Sequence, residues 1–162
     1  FDLFLDFKKN KIEDIKKSYY FLCTGLFEDQ DKNLNYYREI FKNHTNKKMI
    51  CTNPDLIVDR GNKRELCAGS VALVFEKLGG KVMYFGKPFS EVYNQSIDNK
   101  KKKVLSIGDN LNTDIKGANL LNYDSLLISN GVHKDEIKSE GIGAVSKKYE
   151  AVVNFIQTEL KW

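Results

Sequence analysis

Short apolar runs alternate with helical stripes along most of this chain. Tyr20–Thr24 (YFLCT) is a compact apolar run of the kind that forms a buried strand. The polar, turn-like stretch FEDQDKN follows. Asn33 is placed to cap a helix whose apolar face is Leu34, Tyr37, Ile40 and Phe41. Met49–Thr52 predicts a second strand, and Ile57–Val58, DRGNK and Glu65 predict a hairpin around Gly61. From Leu66 onward the pattern sharpens. Cys67, Val71, Val74, Phe75 and Leu78 mark one helix face, which Gly79-Gly80 terminates. Val82–Phe85, Val104–Ile107 and Ser125–Ser129 read as strands. Between them, Phe89, Val92, Tyr93 and Ile97 mark one helix, and Ile115, Ala118 and Leu121 another. Tyr149, Val152, Val153, Ile156 and Leu160 predict a final helix.

Strands that alternate with helices over short connections predict an α/β fold, with helices flanking a parallel sheet. Ligands in such folds bind beyond the carboxyl ends of the strands, which directs attention there. A boundary is expected near Thr52–Asp55, dividing the chain into residues 1–52 and 53–162.

Composition narrows the class. The chain has 162 residues, 41% hydrophobic and 30% charged, the balance of an ordinary globular protein with a real core. No apolar run reaches the roughly 18–20 residues that cross a bilayer, so no membrane association is expected. The net charge is +4, and Arg occurs only at Arg38, Arg60 and Arg64. Nucleic-acid surfaces favour Arg forks interleaved with aromatic residues, so no nucleic-acid partner is expected. The lysine run Lys100–Lys103 reads as a solvated loop before a strand. Cys23, Cys51 and Cys67 sit in apolar surroundings with no CxxC spacing, as buried reduced thiols of a cytoplasmic protein do. His44 and His133 have no zinc-ligand spacing to any of them. The sequence opens FDLFLDFKKN, without Met and without the features of a signal peptide, so we expect a piece of a longer polypeptide.

The strand ends carry the candidate chemistry. Val82–Phe85 runs into Gly86-Lys87-Pro88, Val104–Ile107 into GDNLNTDI (Gly108–Ile115), and Ser125–Ser129 into Asn130-Gly131-Val132. An aspartate directly after a buried strand is costly unless it faces a cleft or a cation. Asp109 is such a residue, and Gly108 lets the backbone bend into the site. Asp114, at the start of a helix, is favoured there by the helix dipole. Two carboxylates converging on one strand end suit Mg²⁺. Lys87, expected at another strand end of the same sheet, would balance their charge and hold a phosphoryl oxygen. Taken singly, each motif has a plainer reading as a turn, a helix-start charge or a loop; their conjunction suggests phosphoryl transfer.

The runs CTNPD (Cys51–Asp55), CAGS (Cys67–Ser70), YFGKP (Tyr84–Pro88), GDNLNTDI and SNGV (Ser129–Val132) resemble haloacid dehalogenase-like (HAD) hydrolases. Within that superfamily they look most like class IIA, the NagD-like and p-nitrophenyl phosphatase-like enzymes, over about residues 20–135. The resemblance implies a three-layer, doubly wound Rossmannoid sheet, here partial, with part of an α/β cap domain. Residues 1–52 would be the later part of the cap, and 53–162 the second half of the core. It also implies a Mg²⁺-dependent phosphatase acting on a small phosphorylated metabolite through a phosphoaspartyl intermediate. By position, Lys87 matches the lysine that stabilises that intermediate, Asp109 the principal magnesium ligand, and Asp114 the acid that supports the metal-bound water or the lysine. Asn110 lies beside the metal site, and Asn53 and Asp55 fall where class IIA enzymes contact substrate.

One part of the family pattern does not match. The DxD motif, which supplies nucleophile and general acid, has no counterpart, nor has the phosphate-holding Ser/Thr motif. Asp6 is the one candidate nucleophile, and Phe7-Lys8 follow it instead of a second aspartate. The chain is therefore expected to carry the lysine and metal half of a site and to be inactive alone. Val104–Ile107 would then present an unpaired apolar edge, favouring pairing with another copy or with a complementary N-terminal segment. The rival readings are a catalytically dead HAD-like binding or regulatory domain, a receiver-like domain and a nucleic-acid module. Receivers place their Lys-Pro pair after the acidic motif, whereas here Lys87-Pro88 precedes Gly108-Asp109.

Overall fold

The computed structural model describes residues 5–97 and 103–161. Lys100, Lys101 and Lys102 of the lysine run lie outside the described residues. Strand β1 (Tyr20–Cys23) is followed by helix α1 (Leu34–Phe41) and strand β2 (Lys48–Cys51). The Asn33 carboxamide oxygen accepts the Tyr36 amide and so caps α1 as predicted. Strands β3 (Ile57–Arg60) and β4 (Lys63–Leu66) form the expected hairpin, with Gly61 at φ +61° in its turn. Helix α2 (Ala68–Lys77) and strand β5 (Lys81–Tyr84) come next.

Strands β1, β2 and β5 make one parallel sheet in that order. Helices α1 and α2 cover one of its faces. Their stripes place Tyr37, Phe41, Val71 and Phe75 against Met49 and Cys51, all of them buried. Phe21, Phe41 and Phe75 form an aromatic triad with ring centroids 5.1–5.7 Å apart.

After Lys87 the chain forms helix α3 (Ser90–Ser96) and strand β6 (Leu105–Gly108), then a wide turn over Leu111–Ile115 that continues as helix α4 (Lys116–Leu120). In the wide turn the Asn110 carbonyl accepts both the Asp114 and the Ile115 amides, a π-type widening of the kind often found at functional sites. Strand β7 (Asp124–Ile128), helices α5 (Lys134–Glu140) and α6 (Ile142–Lys148) and strand β8 (Phe155–Gln157) complete the chain. Strands β6, β7 and β8 make a second parallel sheet in that order. Leu111, Ile115, Leu127, Val145 and Ala151 form its core.

This α/β architecture of parallel sheets and helices agrees with the predicted class, and it differs from the sequence expectation in two places. First, β5 pairs with β2 in the first sheet, not with β6, so Lys87 leaves a different sheet from Asp109. The cause is register: Met49 and Cys51 face Val82 and Tyr84, extending the core under α2. The expected boundary after Thr52 therefore falls between β2 and the strand it pairs with. Second, the predicted C-terminal helix is absent. Helix α6 ends at Lys148, Glu150 takes a left-handed conformation (φ +52°), and the chain reverses into β8. Asn154 fixes that reversal by accepting the Ser125 amide and hydroxyl, both at 2.9 Å. A helix-like spacing of Val152, Val153 and Ile156 thus yields to pairing with β7.

Among the described residues β6 pairs only with β7, and Leu105 and Ile107 are exposed along it. Among the described residues no helix is long and apolar enough to cross a membrane.

Candidate active site

Lys87 and Asp109 are linked through Asp114 across the seam between the two sheets. The Lys87 ammonium pairs with Oδ1 of Asp114. Oδ2 of Asp114 accepts the backbone amides of Asp109 and Asn110, each at 3.1 Å. Asp114 is buried, so every oxygen of its carboxylate is committed to holding its neighbours. Gly108 makes this possible: a Cβ there would lie 2.2 Å from the Asp114 carboxyl. Burial pulls the Lys87 pKa down. The hydrogen bond and charge of Asp114, with Asp55 adding to them, outweigh that pull and raise it above the usual lysine value.

Asp109 projects toward the loop after β7. Its Oδ2 accepts the Val132 amide at 3.0 Å, and Gly131 packs so close that a Cβ there would meet Asp109 Oδ2 at 2.2 Å. The other oxygen, Oδ1, has no hydrogen-bond partner among the described residues. The two carboxylates have different hydrogen-bond partners. Asp114 supports the backbone that presents Asp109 and pins the lysine.

Asp55 joins the first sheet's loops to this cluster. Its Oδ1 accepts Nδ2 of Asn110 at 3.0 Å and the Thr113 hydroxyl at 2.8 Å. The Asn53 side-chain oxygen accepts the Asp55 amide at 3.1 Å. The Asn110 side-chain oxygen accepts the Asn112 amide at 2.9 Å. Gly69, at the start of α2, lets that helix sit on the Pro54 carbonyl, where a Cβ would lie at 2.1 Å. Beside these residues opens a cavity of about 470 Å³, walled by Leu56, Ile57, Leu73 and Phe89 and reached by Asp55, Thr113 and His133.

All six candidate residues thus belong to one connected neighbourhood. Thr113, Gly131 and Val132 are partners that sequence reasoning missed as site residues. Thr113 lies inside the GDNLNTDI motif, which could have flagged it, but a backbone amide such as that of Val132 leaves no side-chain signal. Asp6 stands in an exposed 3₁₀ turn (Leu5–Asn10), with no hydrogen bond to this cluster among the described residues.

A metal's fit can be judged from the donors. Among the described residues no group of three or more His, Cys, Asp or Glu side chains could hold a metal ion. Asp114 has no oxygen to spare, and Asp109 has one. Mg²⁺ is often held by one or two carboxylates together with waters and substrate oxygens, and Asp109 fits as one such ligand.

A HAD-hydrolase-like family model matches residues 84–154, from the end of β5 to the reversal before β8. No curated protein matches the sequence. Among solved structures, a hydrolase of the haloacid dehalogenase-like family from Brucella suis is 34% identical (TM-score 0.70), covering 76% of this chain and 49% of that one. A possible sugar phosphatase of the HAD superfamily from Cytophaga hutchinsonii shares the fold at 22% identity (TM-score 0.63), covering 94% of this chain and 57% of that one. So does a p-nitrophenyl phosphatase from Archaeoglobus fulgidus at 15% identity (TM-score 0.61), covering 89% and 55%. The chain spans about half the length of these solved relatives. Lys87, Asp109 and Asp114 all lie inside the matched segment, over which the chain is similar to haloacid dehalogenase-like hydrolases.

Proposed function

We propose that this chain supplies the lysine and metal half of a class IIA phosphoric monoester hydrolase. The observation that carries this reading is the Lys87–Asp114 pair, whose carboxylate also holds the backbone of Asp109. A cation tethered through Asp114 to the backbone of a second carboxylate is suited to a phosphoryl group and its counter-ion. Lys87 would hold a phosphoryl oxygen, Asp114 would keep the ammonium charged and oriented, and Asp109 would be a ligand to Mg²⁺. When bound, Mg²⁺ supplies neutralising charge to the phosphoryl oxygens. Asn53, Asp55 and Asn110 would shape the substrate-facing side, Asp55 through its place on the cavity wall.

The substrate class is a small phosphorylated metabolite. Residues of the first sheet would form the later part of the cap, and those of the second sheet the second half of the core. The attacking aspartate of a phosphoaspartyl mechanism would come from a segment other than these motifs. The free thiols Cys23, Cys51 and Cys67 support a cytoplasmic setting.

Titration of the purified chain with Mg²⁺ and inorganic phosphate tests the reading. Asp109→Asn should abolish Mg²⁺ binding, and Lys87→Ala should abolish phosphate binding while Mg²⁺ still binds. Unchanged binding in both variants would overturn the assignment. The chain alone should release no phosphate from p-nitrophenyl phosphate above a Lys87→Ala control. Turnover well above that control would place the nucleophile within these 162 residues.

A further inference from the structure

The backbone of Val132 is held on both sides, at its N–H and at its carbonyl. Its N–H donates to Asp109 Oδ2 at 3.0 Å, and its carbonyl accepts Nη2 of Arg64 at 3.0 Å. Arg64 comes from the far side of the seam, on β4 of the hairpin. Its guanidinium is oriented there by a bidentate pair with Asp59, its register partner on β3, at 2.8 and 3.0 Å. A guanidinium can serve a carboxylate and a carbonyl at once because its donors are fixed in one plane, which an ammonium on a flexible stem cannot reproduce. Arg64 is one of three arginines in a chain whose basic residues are otherwise lysine. Exposed ion pairs usually contribute little to stability, so stability alone gives the pair no strong reason to be built.

We propose that Arg64 is a positioning residue for Asp109: it ties the β3–β4 hairpin to the Gly131–His133 loop and so sets where the Val132 amide holds the Asp109 carboxylate. The proposal rests on the reading of Asp109 as a Mg²⁺ ligand. It makes the geometry of that ligand depend on the hairpin being docked. The loop's other flank is fixed independently, since Nδ1 of buried His133 donates to Glu136 at 2.9 Å. Releasing Arg64 should therefore loosen the backbone at Val132 without unfolding the loop.

The test compares Arg64→Lys with the unmodified chain, using amide hydrogen exchange at Val132 and the dissociation constant for Mg²⁺. Arg60→Lys serves as control; Arg60 is an exposed hairpin arginine whose partner is Glu65. In Arg64→Lys the Val132 amide should exchange about tenfold faster, for the loss of one hydrogen bond. Mg²⁺ should bind about tenfold more weakly, with the melting temperature within about 2 °C of the parent. Arg60→Lys should change none of these. Exchange at the parent rate in Arg64→Lys overturns the tie. Faster exchange with unchanged Mg²⁺ affinity overturns the positioning role. Absence of Mg²⁺ binding in the unmodified chain overturns the metal reading, and the positioning role with it. That outcome is recognisable because it appears before any substitution is made.

Discussion

Asp114 Oδ2 accepts the backbone amide of Asp109 at 3.1 Å, so one carboxylate of the motif serves as scaffold for the other. Its second oxygen serves Lys87. A buried acceptor with this many donors cannot be exchanged for an amide without loss, because a carboxamide turns an NH₂ group toward at least one of them.

Asp114→Asn should therefore destabilise the chain by about 1–3 kcal/mol, whereas Asp109→Asn, which loses the charge facing a single amide, should cost less. The pH dependence has a defined sign. The Lys87 pKa is raised in the folded chain by Asp114, against the opposing effect of burial. Its pairing thus stabilises fully below the ordinary lysine value and is lost as pH rises through the folded one. Denaturant melts above pH 10 should show this alkaline loss in the parent and not in Asp114→Asn.

Gly108 and Gly131 are sites where no side chain fits. A methyl at either would lie 2.2 Å from the carboxyl oxygen of Asp114 or Asp109 respectively. Gly108→Ala and Gly131→Ala should each cost about 1–3 kcal/mol from overpacking. Each should also weaken Mg²⁺ binding in calorimetric titration. Gly143→Ala, where a Cβ would meet nothing within 4 Å, should do neither.

Asp55 gathers Asn110 and Thr113 onto one oxygen. Asp55→Ala leaves both donors without their acceptor and should cost about 1–3 kcal/mol by chemical denaturation. Thr113→Val removes one donor and leaves Asp55 its other partner, so its effect should be the smaller of the two. An equal loss in the two variants would count against the shared acceptor.

Glu136 is the hub on the other side of the loop. It accepts from Lys148, from the Tyr149 hydroxyl at 2.9 Å and from His133 at 2.9 Å. Lys148 first, then His133 and Tyr149, hold its carboxyl down to about 2 against the effect of burial. A lowered folded pKa gives stability that is present above the ordinary glutamate value and is lost as pH falls through the folded one. Between about pH 4.5 and 2 the parent should therefore lose stability that Glu136→Gln never had. Acid melts followed by circular dichroism should show the two curves converging in that window.

The strands β1, β2, β5, β6 and β7, the hairpin at Gly61 and the helix capped by Asn33 were all legible in the sequence, because each has a local cause. These are an apolar run of strand length, a turn glycine or a capping side chain acting within a few residues. The motifs that carry Lys87, Asp109 and Asp114 follow strands β5 and β6, where the sequence placed them. The C-terminal segment was misread because the spacing of Val152, Val153 and Ile156 fits a helix, while the deciding contact, Asn154 to Ser125, spans 29 residues. Only the tertiary structure could assign β5 to the first sheet, since parallel register is settled by which residues share a core. Only it could show that Asp114 faces a lysine and two backbone amides. Hydrogen bonds from backbone groups and from distant loops decide that, and they carry no mark in the order of residues.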